Sequence, residues 1–328
     1  MKICFVAWSD FGIGGVPKVL TCLMDALSRN HDVSLYSLKN LPQSGIHGIN
    51  REQIHIYCKE MNLYEKVRRS AADFLVTKTP LFSSALGCRL YAAARYTSGF
   101  KKALTNHLNK HQYDVVIFGS GFEDSLLLAL TKKKLLPSMR IMTWSHASYD
   151  NYFTNMGAFF SRYMKEAIKA YYHRFDEVIV LSDGDEKEFK EKHHLPARRI
   201  YNPNTMKPAG KSSLTSKTFV YVGALSRQKG TDLAVRRFIE TDQEWNLHIY
   251  GDGPLKGWIE EYISSNGLHH RIILHGPCGN MEEEFPRHSI LVFPSRCEGF
   301  GLVQVEAMCC GLPILAADIP ICREIVGK

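Results

Sequence analysis

An alternation of strand and helix patterns occurs twice in this chain and constrains its fold more than any other feature of the sequence. In the first half, an apolar run at 2–8 is followed by a glycine turn, a helical pattern at 17–29 and a second apolar run at 33–37. The alternation restarts with the apolar run at 219–223. Strand, turn, helix and strand in this order are typical of a doubly wound α/β domain. The sequence therefore predicts two such domains.

A polar, proline-bearing segment near 203–217 separates the two patterns. We expect an N-terminal Rossmann-like domain over 1–203 and a C-terminal one over 204–328. Ligands of such sheets bind at the carboxyl ends of the strands. The predicted site is therefore the cleft in which the two domains face each other.

Apolar runs and helical periodicity place the other elements. In the first half they predict a mostly helical, irregular stretch and three strands, at 51–110, 113–118, 140–144 and 177–181. In the second half they predict helices at 232–240, 255–266 and 301–310 and strands at 246–250, 271–274, 290–293 and 314–317.

Composition excludes several classes of protein. The apolar fraction is 45% and the charged fraction 23%, which is enough apolar material for two packed cores. No apolar stretch approaches the ~20 residues of a membrane span. The nine cysteines are scattered without a C-x-x-C pair, which favours reduced thiols over disulfides or a zinc site. We expect a cytoplasmic chain, with peripheral contact to the inner face of the membrane left open.

The net charge of +8 is concentrated at 59–110, where ten Lys and Arg accompany three acids. Such a patch attracts a phosphate-bearing substrate, an anionic membrane or nucleic acid, and it is equally typical of solvated helix faces. Aromatic residues interleave the basic ones: Tyr64, Phe74, Phe82, Tyr91, Tyr96 and Phe100. Docking on an anionic membrane and a helix pair with a solvated face both stay open, and no nucleic-acid partner is expected.

Glycines follow the first strand at Gly12, Gly14 and Gly15. Glycine permits close backbone approach, and amides at a helix start suit an anionic phosphate. The spacing is not G-x-G-x-x-G, and no acid ends the second strand, where Leu38-Lys39-Asn40 stands. The loop alone therefore indicates a tight turn somewhat more than a phosphate site.

The loop after the strand at 219–223 carries two cations, Arg227 and Lys229. A guanidinium and an ammonium at a strand's carboxyl end can neutralise a diphosphate leaving group without a metal. A solvated loop with two surface charges is the alternative. The position of the loop favours the functional interpretation.

Two glutamates occur in the stretch CEGFGLVQVEAMCCGLP. Glu298 follows a buried strand, and Glu306 lies in the helix that Gly301 begins. Carboxylates in these places can accept hydrogen bonds from the vicinal hydroxyls of a sugar and of a ribose. The spacing of eight residues between the two glutamates means little by itself. What indicates a site is the order of elements around them: a buried strand, a G-F-G turn, a helix and a second buried strand.

His146 follows the strand at 140–144 beside Trp144. A lone histidine past a strand is more often structural than catalytic. Its place at a strand end keeps a catalytic role open. Asp10, Asp150 and His275 are interpreted as surface or supporting residues.

Together these stretches resemble the GT-B glycosyltransferases of family 4, which are retaining nucleotide-sugar enzymes. The resemblance covers essentially the whole chain. It is carried by FVYVGALSRQKGTDL, LHIYGDGPL, RIILHGP, LVFPSRCEGFGLVQVEAMCCGLPILAAD, FGIGGVPKVL and WSHASYDN. It implies a hexosyltransferase that uses a nucleotide-sugar donor, UDP-linked, and a glycan or lipid-linked glycan acceptor in lipopolysaccharide or cell-surface polysaccharide synthesis.

The resemblance also implies roles for the matching positions. Glu298 would face the donor sugar and Glu306 the ribose, while His146 would lie beside the sugar near the reacting carbon. Arg227 and Lys229 would hold the diphosphate. Backbone contacts with the donor are implied at Gly14, Gly15, Phe300, Gly301 and Leu302, and contacts near the base at Gly276 and Pro277.

Two features depart from the family pattern. Ala224 stands where many members have an arginine, so Arg227 is expected to substitute for it. Members with a similar DIPICREIVG tail continue beyond the point that corresponds to Lys328, so the C-terminal domain is expected to be incomplete, either because the chain is a fragment or because it is a natural truncation.

The implied mechanism is departure and attack on one face of the sugar, with the leaving diphosphate accepting the acceptor's proton. No glutamate serves as a covalent nucleophile. No D-x-D stretch is present, so no metal cofactor is expected. The alternatives are an NAD-dependent oxidoreductase or a sugar-nucleotide epimerase on the same frame, and an inactive, truncated relative that binds glycans or acts as a scaffold.

Overall fold

The computed structural model describes residues 1–8, 11, 14–41, 52–155 and 158–327. The chain divides into two compact units, Met1–Pro203 and Asn204–Lys328. Each unit is built on a parallel sheet whose strands are connected through helices.

The sheet of the first unit has, within the described ranges, seven parallel strands. In chain order they are β1 Lys2–Ala7, β2 Asp32–Ser37, β3 Ile54–Cys58, β4 Val115–Phe118, β5 Arg140–Trp144, β6 Glu177–Val180 and β7 Ala197–Arg199. Their order across the sheet is β3-β2-β1-β4-β5-β6-β7. Central strand β1 is buried from Ile3 to Ala7 because helices cover both faces of a parallel sheet.

Helices connect these strands. They are α1 Gly15–Ser28, α2 Leu63–Lys78, α3 Ala85–Arg95, α4 Ser98–His111, α5 Leu126–Thr131, α6 Ala158–Tyr171 and α7 Asp183–His193. Helix α2 starts at a capping box, in which the Asn62 side chain accepts from the Glu65 amide and Glu65 returns the bond to the Asn62 amide.

The second unit repeats the plan with fewer strands. Its strands are β8 Thr218–Val222, β9 Asn246–Tyr250, β10 Ile272–Gly276, β11 Ile290–Phe293 and β12 Ile314–Ala316, in the order β10-β9-β8-β11-β12. Its helices are α8 Thr231–Phe238, α9 Lys256–Ser265, α10 Met281–Glu284, α11 Leu302–Cys309 and α12 Pro320–Val326.

The predicted α/β class with two Rossmann-like units is confirmed. Two strands were not predicted from the sequence, β3 inside the stretch that was expected to be mostly helical and β7 a few residues before the linker. Both are edge strands, and β7 has three residues, Ala-Arg-Arg. The sequence of β3, Ile-His-Ile-Tyr-Cys, is compatible with a strand, but it stands in a stretch whose other residues predict helices. The three residues of β7 are too few to show a periodicity.

The order of the strands reverses between β1 and β4 in the first unit and between β8 and β11 in the second. Loops at the carboxyl ends of the strands diverge at such a switch point and leave room for a ligand. No helix within the described ranges has the length and apolarity that crossing a membrane requires.

Candidate active site

The loops after β8 and β11 meet through an ion pair in the second unit. Lys229 Nζ lies 2.7 Å from Oε1 and 2.8 Å from Oε2 of Glu298. The Ser295 hydroxyl donates to Glu298 Oε1 at 2.8 Å. The Glu298 side chain is only 7% exposed, whereas that of Lys229 is 34% exposed. The carboxylate is therefore fixed in one orientation, and the ammonium beside it remains within reach of a ligand.

A glycine lets the two loops pack backbone to backbone. Gly230 has φ 68°, in the left-handed region, and a Cβ built on it would lie 2.0 Å from the carbonyl oxygen of Pro294. The next residue, Thr231, is fully buried, and its hydroxyl donates to the Tyr221 hydroxyl at 2.7 Å and accepts from the Ser226 amide at 3.2 Å. These contacts fix the turn that carries Lys229.

Arg296 also joins the loops after β8 and β11, through hydrogen bonds of its side chain and its amide. Its guanidinium donates to both carboxylate oxygens of Asp232, at 2.7 and 2.9 Å, and to the carbonyl oxygen of Arg227. Its amide donates to the carbonyl oxygen of Gln228 at 2.9 Å. The hydrogen bond from Arg296 lowers the pKa of Asp232. The Arg296–Asp232 pair was not predicted from the sequence, because no pattern in the two loops links residues that are 64 positions apart.

The side chain of Arg227 is exposed, unlike that of Lys229. The structure thus brings Lys229 to Glu298 and leaves the Arg227 guanidinium on the surface of the loop.

Glu306 is buried in α11, with 4% of its surface exposed. Its Oε1 accepts from the Thr205 hydroxyl at 3.0 Å. Helix α11 begins after Gly301, which has φ 81°, and a Cβ there would lie 2.9 Å from Phe293 Cζ. Within the described part of the chain, no side chain caps this helix start. Amides of Leu302 and its neighbours in the first turn are therefore free of a side-chain cap that would compete with an anion.

Gly276 and Pro277 lie at the carboxyl end of β10, which is separated from β8 by strand β9. Two strand spacings are about 10 Å. These residues are therefore at the same edge of the sheet as Lys229 but well to one side of it.

His146 lies in the first unit, just after β5. Its Nε2 is 2.9 Å from the carbonyl oxygen of Gly119, which can only accept, so Nε2 carries the proton of the neutral ring. Burial lowers the pKa of His146 to about 4, although the bond to Gly119 opposes that shift. The ring packs on Trp144 with centroids 4.9 Å apart. His146 is thus a neutral imidazole that can accept a hydrogen bond through Nδ1.

Gly14 and Gly15 lie at the start of α1, after β1. Gly14 is extended, and a Cβ on it would be 3.5 Å from Pro17 Cδ, an ordinary contact. Among the residues that the structure describes, none caps this helix start with its side chain either. Gly12 and Asp10 lie outside the described residues.

A pocket of about 420 Å³ opens at the carboxyl ends of β1, β2 and β3 in the first unit. Arg69 lies in it with its guanidinium 3.8 Å from the centre of the Trp8 ring, and Arg69 Nη2 donates to Asp124 at 2.7 Å. The lining residues are Trp8, Leu38, Lys39, Asn40, Glu60, Met61, Lys66, Arg69 and Ser70. Sequence reasoning did not identify this pocket, because its residues come from four separate elements.

A buried network of charges supports the pocket. Arg95 is 6% exposed and pairs with Asp124 and Asp73. Burial would raise the pKa of Asp124, but Arg95 and Arg69 outweigh it and the pKa is lowered. The network therefore holds Arg69 in place through an ionised Asp124.

Among the described residues, no group of three or more His, Cys, Asp or Glu side chains could hold a metal ion. Independence from metal stays a prediction.

Comparison with known proteins shows two family profiles that share the chain between them. "Glycosyltransferase Family 4" matches residues 13–203, and "Glycosyl transferases group 1" matches residues 204–328. The first profile alone covers more than half of the chain.

Individual proteins of known sequence match only parts of this chain, at modest identity. An exopolysaccharide phosphotransferase of Streptomyces coelicolor is 36% identical over 152 residues, which are 44% of this chain and 16% of that protein. A lipopolysaccharide 1,6-galactosyltransferase of Escherichia coli is 25% identical over 228 residues, 66% of this chain and 59% of that protein. This chain spans less than two thirds of the length of these curated relatives.

The fold is shared with solved structures. The crystal structure of HepE from Anabaena in complex with UDP has a TM-score of 0.71 and 15% identity, and the match covers 100% of this chain and 84% of that one. At this identity the match shows the fold alone.

Proposed function

The chain belongs to glycosyltransferase family 4, and on this premise we propose that it transfers a hexose from a UDP-sugar to a glycan acceptor with retention of the anomeric configuration. Cell-surface polysaccharide or lipopolysaccharide synthesis is the process that the galactosyltransferase relative supports. The structural neighbour that holds UDP supports the choice of nucleotide.

One observation carries this proposal, the pairing of Lys229 with Glu298 at the switch point of the second sheet. A donor contains a diphosphate next to a sugar bearing hydroxyls, so its recognition needs a cation next to an acceptor of hydrogen bonds. Lys229 would bind the diphosphate, with Arg227 as a second cation, and Glu298 the sugar hydroxyls. Glu306 would bind the ribose.

In the proposed reaction, the bond between the anomeric carbon and the diphosphate oxygen breaks as the acceptor oxygen bonds to the same face of that carbon. The acceptor hydroxyl gives its proton to the departing diphosphate. Negative charge grows on the diphosphate in this step, and the Lys229 ammonium and the amides at the start of α11 stabilise it. These groups make metal unnecessary.

His146 is proposed to accept a hydrogen bond from a sugar hydroxyl. Its neutral state and its committed Nε2 proton suit this role and do not suit that of a general acid.

The acceptor is proposed to bind in the 420 Å³ pocket of the first unit. Lys39, Lys66 and Arg69 outnumber Glu60 among its charged residues, which favours an acceptor that bears phosphate or carboxylate groups. A lipid-linked glycan is one such acceptor, and contact of this chain with an anionic membrane is a separate proposal.

Calorimetric titration with UDP, followed by transfer assays with a panel of UDP-sugars and a lipid-glycan extract, tests this function. We expect UDP to bind wild type and to bind Lys229→Ala at least 10-fold more weakly, by analogy with the loss of one charge-assisted contact. Lys217→Ala, an exposed lysine at the other end of β8, is the control. Equal UDP affinity in both variants contradicts the proposal, as does preferential binding of NAD. Tight UDP-sugar binding without turnover on any acceptor would favour the inactive, glycan-binding relative.

A further inference from the structure

The outer faces of α2 and α3 form an uncovered apolar surface. Leu63, Val67 and Phe74 lie on one side of α2, at spacings of four and seven residues, and each is at least 60% exposed. We define the α2–α3 surface by its large apolar side chains, each of which is more than half exposed: Leu63, Tyr64, Val67, Phe74, Leu81, Leu86 and Leu90.

Folding does not require this surface to be apolar. Helix α2 already buries its opposite side through Ala72 and Val76, and α3 buries Cys88, Tyr91 and Ala92. Seven large apolar side chains left exposed on two helices that pack together, and on the turn between them, exceed the single scattered ones of an ordinary surface and indicate an interaction surface. Two aromatic residues of the basic stretch, Tyr64 and Phe74, face outward and belong to this surface. The other four are core residues: Phe82, Tyr91, Tyr96 and Phe100.

Positive charge is in excess around this surface. Residues 63–95 contain six Lys and Arg and two acids. Both acids are engaged within the unit. Glu65 is buried and accepts from the Thr97 hydroxyl at 2.6 Å, and Asp73 accepts from the Tyr91 hydroxyl at 2.8 Å. The basic side chains that flank the exposed apolar ones are Arg68, Lys78, Arg89 and Lys66, the last of which pairs with Glu60.

We propose that the α2–α3 surface docks on a lipid bilayer that contains anionic lipids. A bilayer with anionic lipids binds a protein surface of this kind in two ways. Apolar side chains enter the interface between headgroups and acyl chains, and lysine and arginine beside them pair with the anionic headgroups. A second copy of this chain fits less well, because two copies face to face would oppose basic residues to basic residues.

Helix α2 also connects this surface with the pocket of the first unit. Lys66, Arg69 and Ser70 line the pocket from the neighbouring side of the helix. Docking would therefore hold the pocket at the bilayer surface. If the proposed function is right, a lipid-linked acceptor presents its glycan there.

Flotation of the chain with phosphatidylcholine vesicles, with and without phosphatidylglycerol, tests the docking. We expect binding only to the anionic vesicles, and weaker binding at high salt. Lys78→Gln/Arg89→Gln should weaken it by about 30-fold, at roughly 5-fold per basic residue. Lys133→Gln/Lys187→Gln removes the same charge elsewhere in the unit and should change it little.

A second pair of variants tests the apolar contribution. Val67→Ser/Phe74→Ser should lose most of the binding, while Leu315→Ser, a side chain of the second unit that is 59% exposed, should retain it. Circular dichroism confirms that all variants are folded. Equal binding to neutral and anionic vesicles, no binding, or dimerisation through this surface in light scattering would overturn the docking. None of these outcomes depends on UDP binding, so docking and the proposed function can fail separately.

Discussion

The Lys229 ammonium contacts both carboxylate oxygens of Glu298, although the two residues are 69 positions apart. One group is the proposed partner of the diphosphate and the other of the sugar. In the absence of a donor each neutralises the other. A bound diphosphate would share the ammonium with Glu298, so the pair is preorganised where the charge of the leaving group grows.

Replacing Lys229 with alanine removes this cation from the reaction. We expect Lys229→Ala to lower kcat/KM for sugar transfer by about 100-fold or more, the usual effect of losing one group that stabilises a developing charge. Arg227→Ala should have a smaller effect, because that side chain is exposed. Steady-state assays of both variants decide the order, and the reverse order would assign the diphosphate to Arg227.

Gly230 should tolerate no side chain. We expect Gly230→Ala to destabilise the chain by about 2–4 kcal/mol, because the Cβ meets Pro294 O and the backbone is left-handed. Gly267 has a similar φ of 63° with nothing within 4 Å of its Cβ, so Gly267→Ala should cost only about 1–2 kcal/mol. Urea unfolding measures both. Equal losses would mean that the loops do not need their close approach.

Acid should destabilise the second unit through His288. Burial, with nearby His248, His275 and Arg287, lowers the pKa of His288 to about 3 from an ordinary 6.5. Between these values the unfolded chain binds a proton that the folded chain does not. Stability should therefore fall as the pH falls below 6.5, by up to about 1.4 kcal/mol per pH unit for this group.

The variant His288→Asn tests that assignment. Unfolding free energies at pH 7 and pH 5 should differ less in it than in wild type. His269→Asn, at an exposed position, should keep the wild-type difference. An unchanged pH dependence in His288→Asn would show that other groups cause the loss.

Asp124 should be a sensitive position of the first unit. Asp124→Asn removes the more buried of the two carboxylates that Arg95, which is 6% exposed, and Arg69 share, and it leaves them with the more exposed Asp73, so we expect a loss of about 3–5 kcal/mol. Asp318→Asn breaks an exposed pair with Arg323 and should leave the unfolding midpoint unchanged. A small effect at Asp124 would indicate that solvent reaches the network.

The sequence predicted the fold class and most elements, because a buried parallel strand is an apolar run and the glycine turns follow it. It placed Lys229 and Glu298 each at a strand end, but it did not predict their direct contact. The Arg296–Asp232 and Arg69–Asp124 pairs were missed for the same reason: each joins elements whose proximity exists only after the sheet has formed.

The basic stretch at 59–110 with its interleaved aromatic residues shows a second limit of prediction from sequence. Its composition could not distinguish residues that pack inward, such as Tyr91 and Tyr96, from those that point outward, such as Tyr64 and Phe74. Helix periodicity is similar for both faces of α2, since both are apolar. Only the packing of α2 against its neighbours decides which face stays uncovered.

Helix α2 carries pocket residues on one side and the uncovered apolar residues on the adjoining side. If the α2–α3 surface docks on a bilayer as proposed, the enzyme would meet a lipid-linked acceptor by lateral diffusion in two dimensions. Its turnover would follow the number of acceptor molecules per unit of membrane area, and diluting them with inert lipid would slow it at constant bulk concentration.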